Sequence, residues 1–161
     1  MSHALGLPPT IESVVGHPRS QLLAWWAASL GVDDRVPGAD PRTPVLLQSF
    51  TASSLQVLAA TGTKLPVHFL VSAKDAAPWL TPEGLSRVKA FATGLSPEKT
   101  IVKDHAEGIA RARQLGLLIT PYTFRASAVT GFPDVRAEMA HYLGVLGVDG
   151  VITNDPRLFS A

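Results

Sequence analysis

With 46% hydrophobic and only 17% charged side chains over 161 residues, the chain has the apolar material for one domain with a sizeable core, which excludes a disordered or polyelectrolyte protein. A formal net charge of +1, with lysines and arginines scattered, offers no basic face for nucleic acid. The absence of cysteine removes thiol nucleophiles, disulfides and thiolate metal sites.

The start, Met1-Ser-His-Ala-Leu-Gly-Leu-Pro-Pro9, lacks the basic and apolar regions of a signal peptide, so a cytoplasmic location is expected. Gly, Pro or charge interrupts every apolar run short of the roughly 18–20 residues that span a bilayer, so no membrane span is expected.

In chain order, Ser20 can cap a helix whose apolar stripe is Leu22, Leu23, Trp26, Ala27 and Leu30, with Gly31 placed to end it. Trp25 and Trp26 read as helix packing. Residues 32–44, with three acids, three prolines and a glycine, form a loop before a buried-type strand, Val45 to Phe50. A helix from about Ala52 to Thr61 stops at Gly62, and Leu65–Val71 is a second strand. Thr81-Pro82-Glu83 places a cap, a proline and a first-turn acid where a helix start wants them.

A short strand is expected at Phe91-Ala-Thr-Gly-Leu95. Asp104 can cap a helix from His105 to Leu115 that Gly116 ends, and Leu117 to Pro121 is the next strand. After a loop to Pro133, Val135, Met139, Tyr142, Leu143 and Leu146 keep a helical period up to Gly147, and Val148–Thr153 is the final strand.

Near-continuous apolar strands alternating with helices indicate a parallel α/β sheet. A complete (β/α)8 barrel takes about 250 residues. The chain is therefore either part of a barrel, with about four to five parallel strands, or an open doubly wound parallel sheet. No GxGxxG or GxxxxGK[ST] loop follows a candidate strand. In both architectures the residues just beyond the strands' C-terminal ends gather on the face that binds ligands. Gln48-Ser49-Phe50, Tyr122-Thr123-Phe124-Arg125 and Thr153-Asn154-Asp155 are expected to meet there.

Arg125 suits bidentate pairing with a phosphate or carboxylate, or is simply solvated. Asp155, before Pro156, either caps a terminal helix or contacts a ligand. Of the acids, only Asp155 is read as following a strand end, and one carboxylate is not a metal site. Asp149 opens its strand, on the face associated with stability. His68, His105 and His141 have no sequence-local partner to tune them and read as structural or solvated.

Four motifs sharpen this reading: Leu46-Leu-Gln-Ser-Phe50, Leu95-Ser-Pro-Glu-Lys99, Gly116-Leu-Leu-Ile-Thr-Pro-Tyr-Thr-Phe-Arg125 and Gly147-Val-Asp-Gly-Val-Ile-Thr-Asn-Asp-Pro156. They come in the order found in the C-terminal half of glycerophosphodiester phosphodiesterases, and the chain resembles a piece of that family. The resemblance treats residues 1–161 as one partial domain, matched best over 45–159, with His17-Pro18 as an outlying match.

The resemblance implies a partial TIM barrel. It also implies a glycerophosphodiester substrate, hydrolysed to glycerol 3-phosphate and an alcohol with a divalent metal, calcium or magnesium, in full-length members. Gln48 and Phe50 match pocket-lining residues, although such strand positions also fill barrel interiors as plain core. Tyr122 stands where the family commonly has an aromatic against the glycerol moiety, and packing on the barrel rim is its other reading. With Arg125 and Asp155 these make up the expected substrate-binding set. Thr120 stands where many relatives carry His, and Ser96 where many carry Gly.

The family's His-Arg-Gly strand, Glu-x-Asp metal pair and second histidine are absent. If His17-Pro18 matches a Glu-x-Lys-His-Pro pattern, Val14 and Gly16 hold the Glu and Lys positions. The resemblance therefore implies a truncated C-terminal half, inactive alone, with no catalytic residue, no metal ligand and no tightly bound metal. Its expected partner is a copy of itself, as a homo-oligomer, or a separate N-terminal half-barrel. For full-length relatives a periplasmic or secreted place stays open.

Overall fold

The computed structural model describes residues 46–159. The helix expected after Ser20, the loop of residues 32–44, the Trp25-Trp26 pair and the His17-Pro18 match lie outside the described residues.

Four parallel strands form one sheet in sequential order: β1 (Leu47–Ser49), β2 (Val67–Val71), β3 (Gly94–Pro97) and β4 (Leu118–Ile119). Helix α1 (Ala52–Ala60) joins β1 to β2, and α2 (Pro82–Lys89) joins β2 to β3. The pair α3 (Ile101–Asp104) and α4 (Ala106–Gln114) joins β3 to β4, and α5 (Val135–Gly144) follows. Single 3-10 turns occur at Ala73–Asp75, Ala126–Ala128 and Pro156–Leu158. A doubly wound sheet needs a point where strand order reverses, whereas a barrel wall advances one strand at a time. The described strands only advance, so the fold is α/β of the partial-barrel kind.

Alternation along the strands separates the two faces of the sheet. Val67, Phe69, Val71, Leu95 and Ile119 join Leu55, Leu58, Leu85, Val88, Ile109 and Ala112 in one buried core on the helix side. Each such Val, Leu, Ile or Phe side chain contributes about 1.5–3 kcal/mol through burial. Phe69 meets Trp79 and Phe91 edge to face at 4.7 and 5.7 Å. The start of α2 is as the sequence predicts: Thr81 Oγ1 accepts from the Gly84 amide at 3.0 Å, ahead of Pro82. Gly62 (φ 73°) and Gly116 (φ 72°) end α1 and α4 in the left-handed conformation that glycine tolerates.

Three expected elements are corrected. The β3 strand starts at Gly94 rather than Phe91, because the Phe91 and Ala92 amides still bond the Val88 carbonyl at 3.1 and 2.9 Å and so close α2. Asp104 does not cap the next helix; it is the last residue of α3, its amide bonds Thr100 O at 3.0 Å, and His105 forms the junction without a side-chain cap.

The strand expected at Val148–Thr153 reduces to one bridge, Phe124 with Thr153. The reason lies in its neighbour. Pro121 has no N–H to donate, and the Ile119 amide goes to Asp149 Oδ2 at 2.7 Å instead of to the backbone. The Ile152 amide bonds Pro121 O at 2.9 Å while its carbonyl receives the Phe124 amide at 2.9 Å. One residue more than a regular ladder holds therefore lies between Pro121 and Phe124, a bulge that returns Phe124 to the core face, where it is fully buried.

Candidate functional site

The strand registers stack the inward-facing residues in rows. Gln48, His68, Gly94 and Leu118 form the lowest row. Continuing the same registers places Phe50, Leu70, Ser96 and Thr120 above it. Glu98 and Tyr122, joined by a backbone bridge, stand at the top with Ser72. The top row lies at the strands' C-terminal ends, the side on which barrel folds bind ligands.

Two of the expected site residues touch. The Phe50 and Tyr122 rings meet edge to face at 5.6 Å and 88°. Phe50 is 58% exposed, so the pair offers an aromatic face to a ligand. The Tyr122 hydroxyl donates to Val71 O at 3.0 Å. Burial, then the charges of Glu98 and Asp75, push its phenol up to about 12, so it remains neutral. Tyr122 therefore presents a ring rather than an acid. Gln48 is exposed on β1, the edge among the described strands, in register with His68.

Arg125 and Asp155 come together through the backbone between them. Asp155 Oδ2 accepts from the Ala126 amide at 2.7 Å, and the Asp155 amide donates to Thr153 Oγ1 at 2.9 Å. The cap expected of Asp155 is thus corrected: Pro156–Leu158 is a single 3-10 turn without a side-chain cap, and the carboxylate instead pins the turn that follows Arg125. Arg125 itself is exposed and has no ion pair among the described residues.

Sequence reasoning missed other rim groups. Glu98 directly follows β3, and its Oε2 accepts from the Ala73 amide at 2.9 Å; Asp75, in the turn after β2, accepts from Ser72 Oγ at 2.7 Å. The reading that only Asp155 follows a strand end is therefore corrected. Starting β3 three residues early hid Glu98, although it stands in the Leu95-Ser-Pro-Glu-Lys99 motif. Behind it, Lys99 Nζ pairs with the buried Glu138 at 2.6 Å, and Tyr142 donates to Lys99 O at 3.0 Å, fastening α5 to the end of β3.

A hard divalent cation wants about six or more oxygen ligands, several of them carboxylate. Glu98, Asp75 and Asp155 are each engaged by a local donor, and no group of three or more His, Asp or Glu able to hold a metal occurs among the described residues. The described residues do not fit the metal the resemblance implies.

His68, which the sequence reads as structural or solvated, is a buried residue with partners that the sequence does not show. It is 1% exposed, and its Nδ1 lies 2.8 Å from Thr120 Oγ1 and 3.3 Å from Ser96 Oγ, with the two hydroxyls 2.7 Å apart. Burial pushes the imidazole down to about 4, against a smaller opposing effect of Asp149, so it is neutral at pH 7. The ring lies over Gly94, where a Cβ would fall within it.

A sequentially wound parallel sheet with an aromatic and polar rim at its strand ends has the arrangement of a (β/α)-barrel wall. Residues 11–158 match the glycerophosphoryl diester phosphodiesterase family, and the chain belongs to it. The match reaches further toward the N-terminus than the four motifs do. A solved structure from Silicibacter pomeroyi, described as a glycerophosphoryl diester phosphodiesterase, superimposes with a TM-score of 0.54 at 23% identity, over 84% of this chain and 41% of that one. That likeness is one of fold, and the chain spans about 41% of the length of its neighbour. Among curated proteins none matches. No helix among the described residues is long and apolar enough to cross a membrane.

Proposed function

We propose that this chain supplies the substrate-side wall of a glycerophosphodiester phosphodiesterase and is inactive on its own. Hydrolysing a phosphodiester requires a charge that neutralises the phosphoryl oxygens, a group that activates the nucleophile and an acid for the leaving alkoxide. The observation that carries the reading is the rim: it has an aromatic face and a fixed loop beside Arg125, and no carboxylate set fit to hold a metal among the described residues.

In this reading Phe50 and Tyr122 pack against the carbons of the glycerol moiety, and Gln48 bonds a substrate hydroxyl. Arg125 meets the phosphate, while Asp155 keeps the Arg125 turn in place. Calcium or magnesium, with its ligands and the acid and base, comes from residues beyond these. The partner is an N-terminal half-barrel or a second copy of the chain.

Purified chain incubated with glycerophosphocholine and excess calcium or magnesium should release no glycerol 3-phosphate. Turnover that a chelator abolishes would overturn the inactivity, and failure of glycerol 3-phosphate to bind at millimolar concentration would remove the substrate assignment.

A second reading, a noncatalytic half-barrel that associates with itself, is favoured by one observation. Leu46, Phe50 and Leu118, all on inward-facing positions, are 38%, 58% and 47% exposed.

A further inference from the structure

We propose that His68 is a positioning residue for the rim, acting through the Nδ1 link to Ser96 and Thr120 rather than through the volume of its ring. The three residues come from three neighbouring strands and are separated by 28 and 52 residues in sequence, so the cluster cross-links β2, β3 and the end of β4 on the inward face. Two residues beyond Ser96 on β3 stands Glu98; two beyond Thr120 stands Tyr122. Both rim residues thus ride on backbones whose heights are set relative to one another directly beneath them.

The backbone holds that end of the sheet regularly from one side only. Thr120 and Tyr122 bond β3 through Leu95 O and Pro97 O at 3.1 and 3.0 Å; on the opposite side Ile152 N bonds Pro121 O and Phe124 N bonds Ile152 O, both at 2.9 Å, but Pro121 has no N–H and the ladder bulges between these bonds. The hydroxyl and imidazole contacts add a side-chain constraint across the strands where the ladder is irregular. Buried polar links of this kind specify one arrangement because losing a partner strands the others. Gly94 is the complementary feature, since only a residue without Cβ lets the imidazole lie across β3 and reach upward. His68 Nε2 has no partner among the described residues, so all the directional bonding runs through Nδ1.

This geometry makes asparagine and glutamine behave differently. An Asn side chain places an amide atom near the Nδ1 position, whereas Gln reaches toward Nε2 and fills more of the ring's volume. The chain has two tyrosines, so fluorotyrosine labelling of the full chain gives two ¹⁹F signals, assigned with Tyr142→Phe. His68→Asn should leave the Tyr122 signal near its wild-type shift. His68→Gln should move it while the Tyr142 signal stays, and Thr120→Val, a gentler cut of the same link, should move it in the same way.

The reverse order, with Gln preserving and Asn moving the signal, would show that ring volume sets the rim and would overturn the proposal. An unmoved signal in Thr120→Val would also overturn it. The consequence for ligand binding rests on the phosphodiesterase reading and has a separate readout. There glycerol 3-phosphate should bind wild type and His68→Asn alike and His68→Gln more weakly. If wild type does not bind it at all, the substrate reading falls while the ¹⁹F result still decides the role of His68.

Discussion

At the scale of single residues, His68 gives the protein a measurable response to acid. Its imidazole is held down at about 4 in the folded chain, mainly by burial, against an ordinary value of 6.5. The unfolded chain therefore takes up a proton that the folded chain refuses between those values, and stability rises with pH across that window. The contribution is fully present above pH 6.5 and is lost as pH falls toward 4. Its size is on the order of 3 kcal/mol. Urea unfolding of the wild type from pH 7 to 4.5 should show this decline, and His68→Leu should show a shallower one. Parallel slopes in the two proteins would remove His68 as the cause.

At the scale of elements, α2 owes its start to a local device. Thr81→Ala removes the bond to the Gly84 amide and should cost about 1 kcal/mol, read as a lower denaturation midpoint at unchanged slope. That device was legible because cap, proline and acid lie within three consecutive positions. The ends of α1 and α4 were legible from single glycines, Gly62 and Gly116, which take the left-handed conformation. What was not legible depends on partners far away. Phe91 and Ala92 are apolar enough for a strand, and only the hydrogen bonds to Val88 show that they belong to a helix turn. The last strand was expected from its apolar run, but its ladder depends on a proline in a neighbour about thirty residues earlier. The site divides in the same way. Phe50 and Tyr122 were expected on the rim from family motifs and do meet. Glu98 was hidden by a strand read three residues early, and His68 by hydroxyl partners that no local pattern announces.

At the scale of the whole molecule, β1 is the edge of the sheet among the described strands, and the inward face carries exposed Leu46, Phe50 and Leu118. Unpaired edges and apolar faces favour association. Light scattering of the purified chain at micromolar concentration should therefore report a dimer or larger species, and a stable monomer would count against the self-associating half-barrel. The sequential strand order carries one more consequence. Leu47 pairs with Val67, His68 with Gly94 and Gly94 with Leu118, so each of the four described strands finds its partner about 20–26 residues away. Loop-closure entropy grows slowly with length, and such short separations keep contact order low for a parallel sheet. Each βα unit can dock on the one before it as the chain emerges from the ribosome. The wall can thus be laid down in the order of synthesis, with no early strand waiting for a late one.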